Sequence, residues 1–255
     1  MRVAVIGVDS MGFNHLRVYS ELEGIQLAGV AEVNEKRLQE VGERFRVPTY
    51  ADYRELLDKE KPQAVSITVP TSDHESVASL ALQSGAHVLI EKPIAASVEE
   101  GQRLIDLAAK LQRQLMVGHI IRFNPAIQEL KKRLDAGELG KIFQIFCRRA
   151  GPFPARIRDV GVVVDLAPHD VDIMRFLTGL SPVRVYAETE KQIHTDHEDL
   201  MFALLRFPGN ITGALELNWL TSTKIRETMV LGEKGLFRVD DLLQDLFFYE
   251  NSQAN

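Results

Sequence analysis

The chain has one cysteine, Cys147, in 255 residues, which excludes an internal disulfide framework and a cysteine-rich zinc site. In the stretch KIFQIFCRR it reads as an ordinary strand residue and not as a nucleophile. Positive charge is also in short supply, with 30 Lys and Arg against 36 Asp and Glu and a formal net charge of −6. That balance opposes non-specific nucleic-acid binding, so no nucleic-acid partner is expected. Long apolar runs are missing: none approaches the ~20 residues of a membrane span, and no membrane partner is expected. Strand-like residues begin within two positions of Met1, so a cleaved leader is not expected, and the reading is cytoplasmic. There is no internal repeat and no low-complexity segment. What remains, 45% hydrophobic and 26% charged, is a globular chain long enough to bury a sizeable core and divide in two.

The first part alternates short Val- and Ile-rich runs with amphipathic stretches. Strands are predicted at Val3–Ile6, IQLAGVA, Val47–Tyr50, AVSITV, HVLIEK and QLMVGH. Helices are predicted from Gly12 to Leu22 and over EKRLQEVGERF, DYRELLDKE, ESVASLALQSG and VEEGQRLIDLAAKLQR. This rhythm predicts a parallel sheet covered on both faces, an α/β domain over residues 1–119. Residues 120–255 read differently. Helices over PAIQELKKRLDAG and DVDIMRFLTG flank the strand KIFQIFCRR and a polar loop GPFPARIRDVG; from Pro182 the pattern is mostly strand. The turn FPGN and the alternation in TGALELNW signal antiparallel pairing. The second unit is therefore expected to be α+β with a large, mainly antiparallel open sheet. One uncovered apolar face on that sheet would favour a homodimer or homotetramer.

The first strand runs into G-x-D-x-x-G, where a dinucleotide-binding turn reads G-x-G-x-x-G. Gly7 and Gly12 are in place, and Asp9 stands where bare backbone would face a pyrophosphate. Its carboxylate would repel phosphate and could occupy the helix amides that phosphate needs, unless Ser10 caps the helix instead. Glu32 lies 20 residues beyond Gly12, where an acid accepts hydrogen bonds from ribose hydroxyls and repels a 2′-phosphate, favouring NAD over NADP; the competing reading is a solvated acid at a helix start. Lys92, in VLIEKPIA, follows a parallel strand and either projects into a ligand crevice or is a solvated cap. Asp165 and His169, four apart in DLAPHDVD, share a helix face, so that the carboxylate would orient the imidazole. No third ligand stands at a convincing spacing, and no metal site is read. Asn124, before Pro125, either caps a helix or touches a ligand. Arg148, Arg149, Arg156 and Arg158 surround the PFP loop; they suit a diphosphate held by guanidinium forks, or are a solvated charge run.

The opening turn, EKP at Glu91–Pro93, RFNP at Arg122–Pro125 and D-x-x-x-H-x-x-D at Asp165–Asp172 together resemble the Gfo/Idh/MocA oxidoreductase family along the whole chain. The resemblance implies an N-terminal Rossmann domain, a C-terminal substrate-binding and oligomerisation domain, NAD as cofactor and a sugar-like alcohol as substrate. It implies catalytic roles for Lys92, Asp165 and His169. It places Gly7, Asp9, Ser10, Met11, Gly12, Glu32, Pro70, Thr71, His74, Glu91 and Lys92 around the cofactor, and Arg122, Asn124, Arg149, Arg156 and His169 around the substrate. The stretch GPFPARIRDVGVVVDLAPHDVDIMRFLTG is most similar to members acting on UDP-N-acetylglucosamine, which implies a nucleotide sugar and gives the arginines a diphosphate to hold; the alternatives are a dehydrogenase of a free cyclitol or sugar, and a non-catalytic NAD-binding or ligand-sensing relative. Two departures stand out: Asp9 for the middle glycine, and Ala167–Pro168 in a stretch that often contains glycine. The chain also stops at NSQAN, earlier than is usual in the family.

Overall fold

The structure is a computed structural model that describes residues 1–154, 160–193 and 196–251. It divides into two compact units, Met1–Gly118 and His119–Asn255.

In the first unit six strands, β1 (Arg2–Ile6), β2 (Gln26–Ala31), β3 (Thr49–Tyr50), β4 (Ala64–Ile67), β5 (His87–Ile90) and β6 (Leu115–Val117), form a parallel sheet in the order β3-β2-β1-β4-β5-β6. Helices α1 (Ser10–Glu21), α2 (Glu35–Phe45), α3 (Tyr53–Glu60), α4 (His74–Gln83) and α5 (Val98–Lys110) connect them. The uninterrupted apolar run of β1 has its cause here, because alternate residues face different cores. Ala4 and Ile6 pack into a cluster with Ile67, Ala78 and Leu104, and Val5 packs into another with Leu16, Val30 and Val41. The chain passes outward from β1 to β2 and β3, then returns to pair β4 on the other side of β1. Where strand order reverses in this way, the loops at the carboxyl edge splay apart and leave a crevice.

The second unit has α6 (Pro125–Asp135), β7 (Ile142–Pro152), α7 (Val162–Thr178), β8 (Arg184–Glu190), β9 (Leu200–Arg206), β10 (Thr212–Asn218), β11 (Leu220–Gly232), β12 (Gly235–Asp240) and β13 (Asp245–Glu250). The seven strands are ordered β13-β12-β11-β7-β10-β9-β8; β7 and β10 are parallel and the other pairs antiparallel. The turn FPGN joins β9 to β10, with Gly209 at φ +71°. Residues from α6 and α7 share one core with inward positions of the sheet, including Ile127, Leu166, Ile173, Leu205 and Leu217. Phe202, Leu204, Phe247 and Tyr249, which alternate with inward positions, stay exposed, as does every residue of β8.

One helix start lies far from the sequence pattern. Helix α7 begins at Val162, eight residues before the expected Asp170, and runs through Pro168. A proline inside a helix forfeits one hydrogen bond and normally reads as a break. Here the start is held from outside: the Val162 amide donates to the Glu198 carbonyl at 3.0 Å and the Val163 amide to the Glu198 carboxylate at 3.1 Å. Gly161 at the N-cap leaves room for that carboxylate, which a β-carbon there would meet at 2.2 Å. Strand β11 starts at Leu220, and its pairing with β7 jumps between Leu220 and Ile225.

Candidate active site

The site in the first unit is assembled mainly from backbone. Gly7 has φ +85°, its amide donates to the Ala31 carbonyl at 2.8 Å, and its carbonyl accepts from the Thr68 hydroxyl at 2.6 Å. A β-carbon on Gly12 would lie 2.0 Å from the Gly7 carbonyl oxygen, so only glycine lets α1 start this close to β1. Asp9 is the N-cap residue, yet its side chain makes no capping bond; its carboxylate pairs with the guanidinium of Arg37 in the first turn of α2. Ser10 is already helical and is not the cap. Both expectations about this turn are therefore corrected: Asp9 does not occupy the α1 amides, and its charge has a cationic partner. The first-turn amides of α1 keep their capacity for an anion.

Glu32 follows β2. Its Oε2 accepts from the Val8 amide at 2.9 Å and its Oε1 from the Asn34 amide at 2.9 Å, which fixes the carboxylate beside the turn. Helix α2 is capped by Asn34, whose side chain accepts from the Arg37 amide, so Glu32 is not the cap. Gly7, Asp9, Glu32, Thr68 and Pro70 line a cavity of about 430 Å³ at the carboxyl ends of β1, β2 and β4. An anion site, a fixed carboxylate with remaining lone pairs and a crevice between them fit the pyrophosphate and ribose of a dinucleotide.

The loops after β4 and β5 are tied together. A 3₁₀ turn, Thr71–Asp73, follows Pro70 and leads into His74, which is 1% exposed. Its Nδ1 lies 2.8 Å from the Pro93 carbonyl and its Nε2 3.1 Å from the Val69 carbonyl. His74 thus has both ring nitrogens engaged with backbone and braces the two loops. Glu91 Oε2 accepts from the Lys92 amide at 3.3 Å, and Oε1 lies 3.3 Å from His15 Nε2. A β-carbon on Gly118 would come within 2.8 Å of that carboxylate, so a side chain there would displace it. Sequence reasoning passed over His15 because its partner lies 76 residues away and nothing local marks it.

In the second unit α7 carries Asp165 and His169, both half-buried and one turn apart. Two neighbouring carboxylates hold the helix in rotation. Asp170, 2% exposed, receives Nε and Nη2 of Arg149 at 2.7–3.1 Å. Asp172, 6% exposed, receives Nε of Arg122 at 2.7 Å and its Nη2 in a second bond, with His119 Nδ1 3.6 Å away. The hydrogen bonds from Arg122 to Asp172 raise the guanidinium's pKa above its ordinary value.

Most of the expected substrate set is engaged within the protein. Arg149 is 6% exposed and belongs to the core pair with Asp170; Arg122 belongs to the Asp172 pair. Asn124 caps α6 through the Ala126 amide at 3.0 Å and donates to the Asp241 carbonyl at 3.0 Å. Arg148 donates to Glu216 at 2.9 Å. Arg156 and Arg158 lie outside the described residues. Cys147 is fully buried and burial pushes its thiol pKa well up, as suits a core residue. Among the described residues no cluster of His, Cys, Asp and Glu could hold a metal, and no helix is long and apolar enough to cross a membrane.

A Rossmann unit with a fitted dinucleotide cradle, joined in sequence to an open-sheet unit with an acid–imidazole helix, defines an NAD-binding oxidoreductase. A family model described as an oxidoreductase family, NAD-binding Rossmann fold, matches residues 1–119, and one described as the GFO/IDH/MocA C-terminal domain matches residues 127–238. The UDP-N-acetylglucosamine 3-dehydrogenase of Acidithiobacillus ferrooxidans is 35% identical over 249 residues, 98% of this chain and 77% of that protein. A solved structure of that enzyme superposes with a TM-score of 0.90 at 34% identity, covering 98% of this chain and 80% of the other. The scyllo-inositol 2-dehydrogenase (NAD(+)) of Bacillus subtilis is 31% identical over 185 residues, 70% of this chain and 54% of that protein. The chain belongs to the Gfo/Idh/MocA oxidoreductase family.

Proposed function

We propose that this oxidoreductase transfers hydride between a ring hydroxyl carbon of a UDP-sugar and NAD. The observation that carries the reading is the 35% identity to a UDP-N-acetylglucosamine 3-dehydrogenase across 98% of the chain. NAD is preferred to NADP because the Glu32 carboxylate, fixed by the Val8 and Asn34 amides, would meet a 2′-phosphate. In this reading Gly7, Ser10, Met11, Gly12 and the α1 amides hold the pyrophosphate, Asp9 and Arg37 flank it, and Pro70, Thr71 and Glu91 shape the nicotinamide end.

His169 takes the proton of the substrate hydroxyl, and Asp165 keeps its imidazole basic and oriented. Lys92 stabilises the negative charge that develops on the same oxygen. When bound, NAD supplies the hydride acceptor. An alternative within the same chemistry makes Lys92 the proton acceptor. Replacing Lys92 with Met and following single-turnover reduction tests both versions, since hydride transfer at the wild-type rate contradicts both.

A second reading, oxidation of a free cyclitol, is supported by the 31% identity to a scyllo-inositol 2-dehydrogenase. Initial rates of NADH formation from UDP-N-acetylglucosamine and from scyllo-inositol separate the two. Turnover of the nucleotide sugar with inhibition by UDP is expected; turnover of the cyclitol alone contradicts the first reading. Exposed apolar residues on β8 and β9 at one edge of the sheet, and on β13 at the other, support self-association, to be checked by sedimentation.

A further inference from the structure

Lys92, which the proposed mechanism sets on the reacting oxygen, has its main chain held at three points. The Glu91 amide donates to the Ile67 carbonyl at 3.0 Å and joins the residue before the lysine to the end of β4. The Pro93 carbonyl, just after the lysine, lies 2.8 Å from His74 Nδ1. The third point is the lysine's own amide, which donates to Glu91 Oε2 at 3.3 Å. That last bond depends on where the Glu91 carboxylate is turned, and two neighbours set its direction. One is His15, whose Nε2 lies 3.3 Å from Oε1. An ionised carboxylate only accepts, so the imidazole carries a proton on Nε2 and donates it. The other is Gly118: an added β-carbon would meet Oε1 at 2.8 Å, the carboxyl carbon at 3.0 Å and Oε2 at 3.2 Å, so the flat face of the carboxylate rests on the glycine. With both side chains of the pair only 15% exposed, the carboxylate needs a donor from the protein, and His15 supplies one.

The imidazole is itself set by the fold. Gly12, His15 and Tyr19 stand at i, i+3 and i+7 on α1 and share one helix face. Gly12 lets that face approach the loop after β4, because a β-carbon there would lie 2.6 Å from the Thr68 hydroxyl. Tyr19 meets the His15 ring edge-on, with centroids 6.3 Å apart and an interplanar angle of 85°, and its hydroxyl lies 2.6 Å from the Ser66 hydroxyl on β4. Ser66 is fully buried. A helix and a buried strand therefore aim the ring at Glu91, which is the kind of rigid support a reacting group needs. The helix whose first amides suit a pyrophosphate thus reaches, further along, the loop that carries Lys92.

We propose that His15 is a positioning residue for Lys92. By donating to Glu91 Oε1 it keeps Oε2 on the Lys92 amide, and so fixes the main chain from which the lysine reaches the substrate oxygen; the inference rests on the role given to Lys92 above. Misplacing a reacting group by about 1 Å costs on the order of a hundredfold in rate. His15 acts at one remove while the Ile67 and His74 contacts remain, so a loss of about tenfold is expected without it.

The test compares wild type, His15→Leu, His15→Gln, Glu91→Met and the double variant His15→Leu, Glu91→Met as full chains. Hydrogen exchange of residues 91–97, between β5 and α5, needs no substrate and is read by mass spectrometry with and without NADH. His15→Leu is expected to speed exchange at the Lys92 amide about tenfold while β1 and β4 keep wild-type rates, and His15→Gln, whose side-chain amide reaches the same carboxylate, to restore the protection. His15→Asn, polar but too short to reach, replaces His15→Leu should that variant fail to fold, with the same expected result. Single-turnover reduction of NAD at saturation is then followed with whichever of UDP-N-acetylglucosamine and scyllo-inositol the wild type oxidises. His15→Leu is expected to lower this rate about tenfold with NADH affinity changed less than about threefold, and to lower it no further in the Glu91→Met background, which a merely structural histidine would not reproduce. Unchanged Lys92 exchange in His15→Leu, an unchanged single-turnover rate, or losses that multiply in the double variant would overturn the proposal. The expected exchange pattern in a chain that oxidises neither substrate keeps the hold of His15 on Lys92 and removes both substrate readings instead.

Discussion

The two units handle charge by different means. The first presents an anion with main-chain amides at the start of α1, held by two glycines and one fixed carboxylate. The second carries its charges on side chains and neutralises most of them internally, with Arg149 on Asp170, Arg122 on Asp172 and Arg148 on Glu216. A backbone site tolerates variation in the side chains around it, and Asp9 is an instance, because its carboxylate turns to Arg37 and leaves the amides alone. A side-chain site does not, because each cation is available only if no nearer carboxylate claims it. In the second unit the pairs orient α7, and they thereby position Asp165 and His169.

The contrast is broken most severely at Gly12. A β-carbon 2.0 Å from the Gly7 carbonyl has nowhere to go, so Gly12→Ala is expected to abolish measurable NADH binding in a fluorescence titration, while circular dichroism shows the second unit's strands retained. Next in size, Arg149→Met leaves Asp170 as an unpaired buried charge and should cost about 3–5 kcal/mol in urea unfolding. The double change Arg149→Met, Asp170→Leu should recover most of that loss, since it removes both charges.

Asp241 gives the second unit a pH dependence of its own. Its carboxyl is raised to about 6, first by burial and against the attraction of Arg149, and its Oδ1 has no hydrogen-bond partner among the described residues. The folded state therefore holds this proton more tightly than the unfolded chain. The associated stability is full below the unfolded carboxyl's ordinary value of 3.8 and is lost as pH rises through about 6. Compared with Asp241→Asn, wild type should lose on the order of 2–3 kcal/mol between pH 4 and pH 7, read from paired denaturation curves. Equal slopes for the two proteins contradict a buried, poorly solvated carboxyl. The smallest effect belongs to Asp9→Gly. Restoring the middle glycine removes an exposed ion pair worth about 0–1 kcal/mol, so NADH affinity should change by less than about tenfold.

The same division governs what could be read from the sequence. Gly7, Gly12, Glu32 and the alternation of β1 are local signals whose geometric meaning does not depend on distant residues, and the parallel sheet and its crevice follow from them. The roles of Arg122, Asn124 and Arg149 depend on partners 50, 117 and 21 residues away, which no spacing rule exposes. The RFNP motif and the capping reading of Asn124 were visible, but the clamp of Arg122 on Asp172 was not. The start of α7 was hidden by Pro168, because the compensating contact comes from Glu198, 35 residues beyond Val163. His15 sits in an unremarkable local pattern, and only the fold sets it beside Glu91.

The most direct test of the account is a titration of the wild-type chain with NADH and, in parallel, NADPH, following nicotinamide fluorescence. Saturable NADH binding at least tenfold tighter than NADPH is predicted, because the α1 amides are open and the Glu32 carboxylate is fixed where a 2′-phosphate would fall. Binding of neither nucleotide, or equal binding of both, would contradict the cradle described for Gly7, Asp9, Gly12 and Glu32.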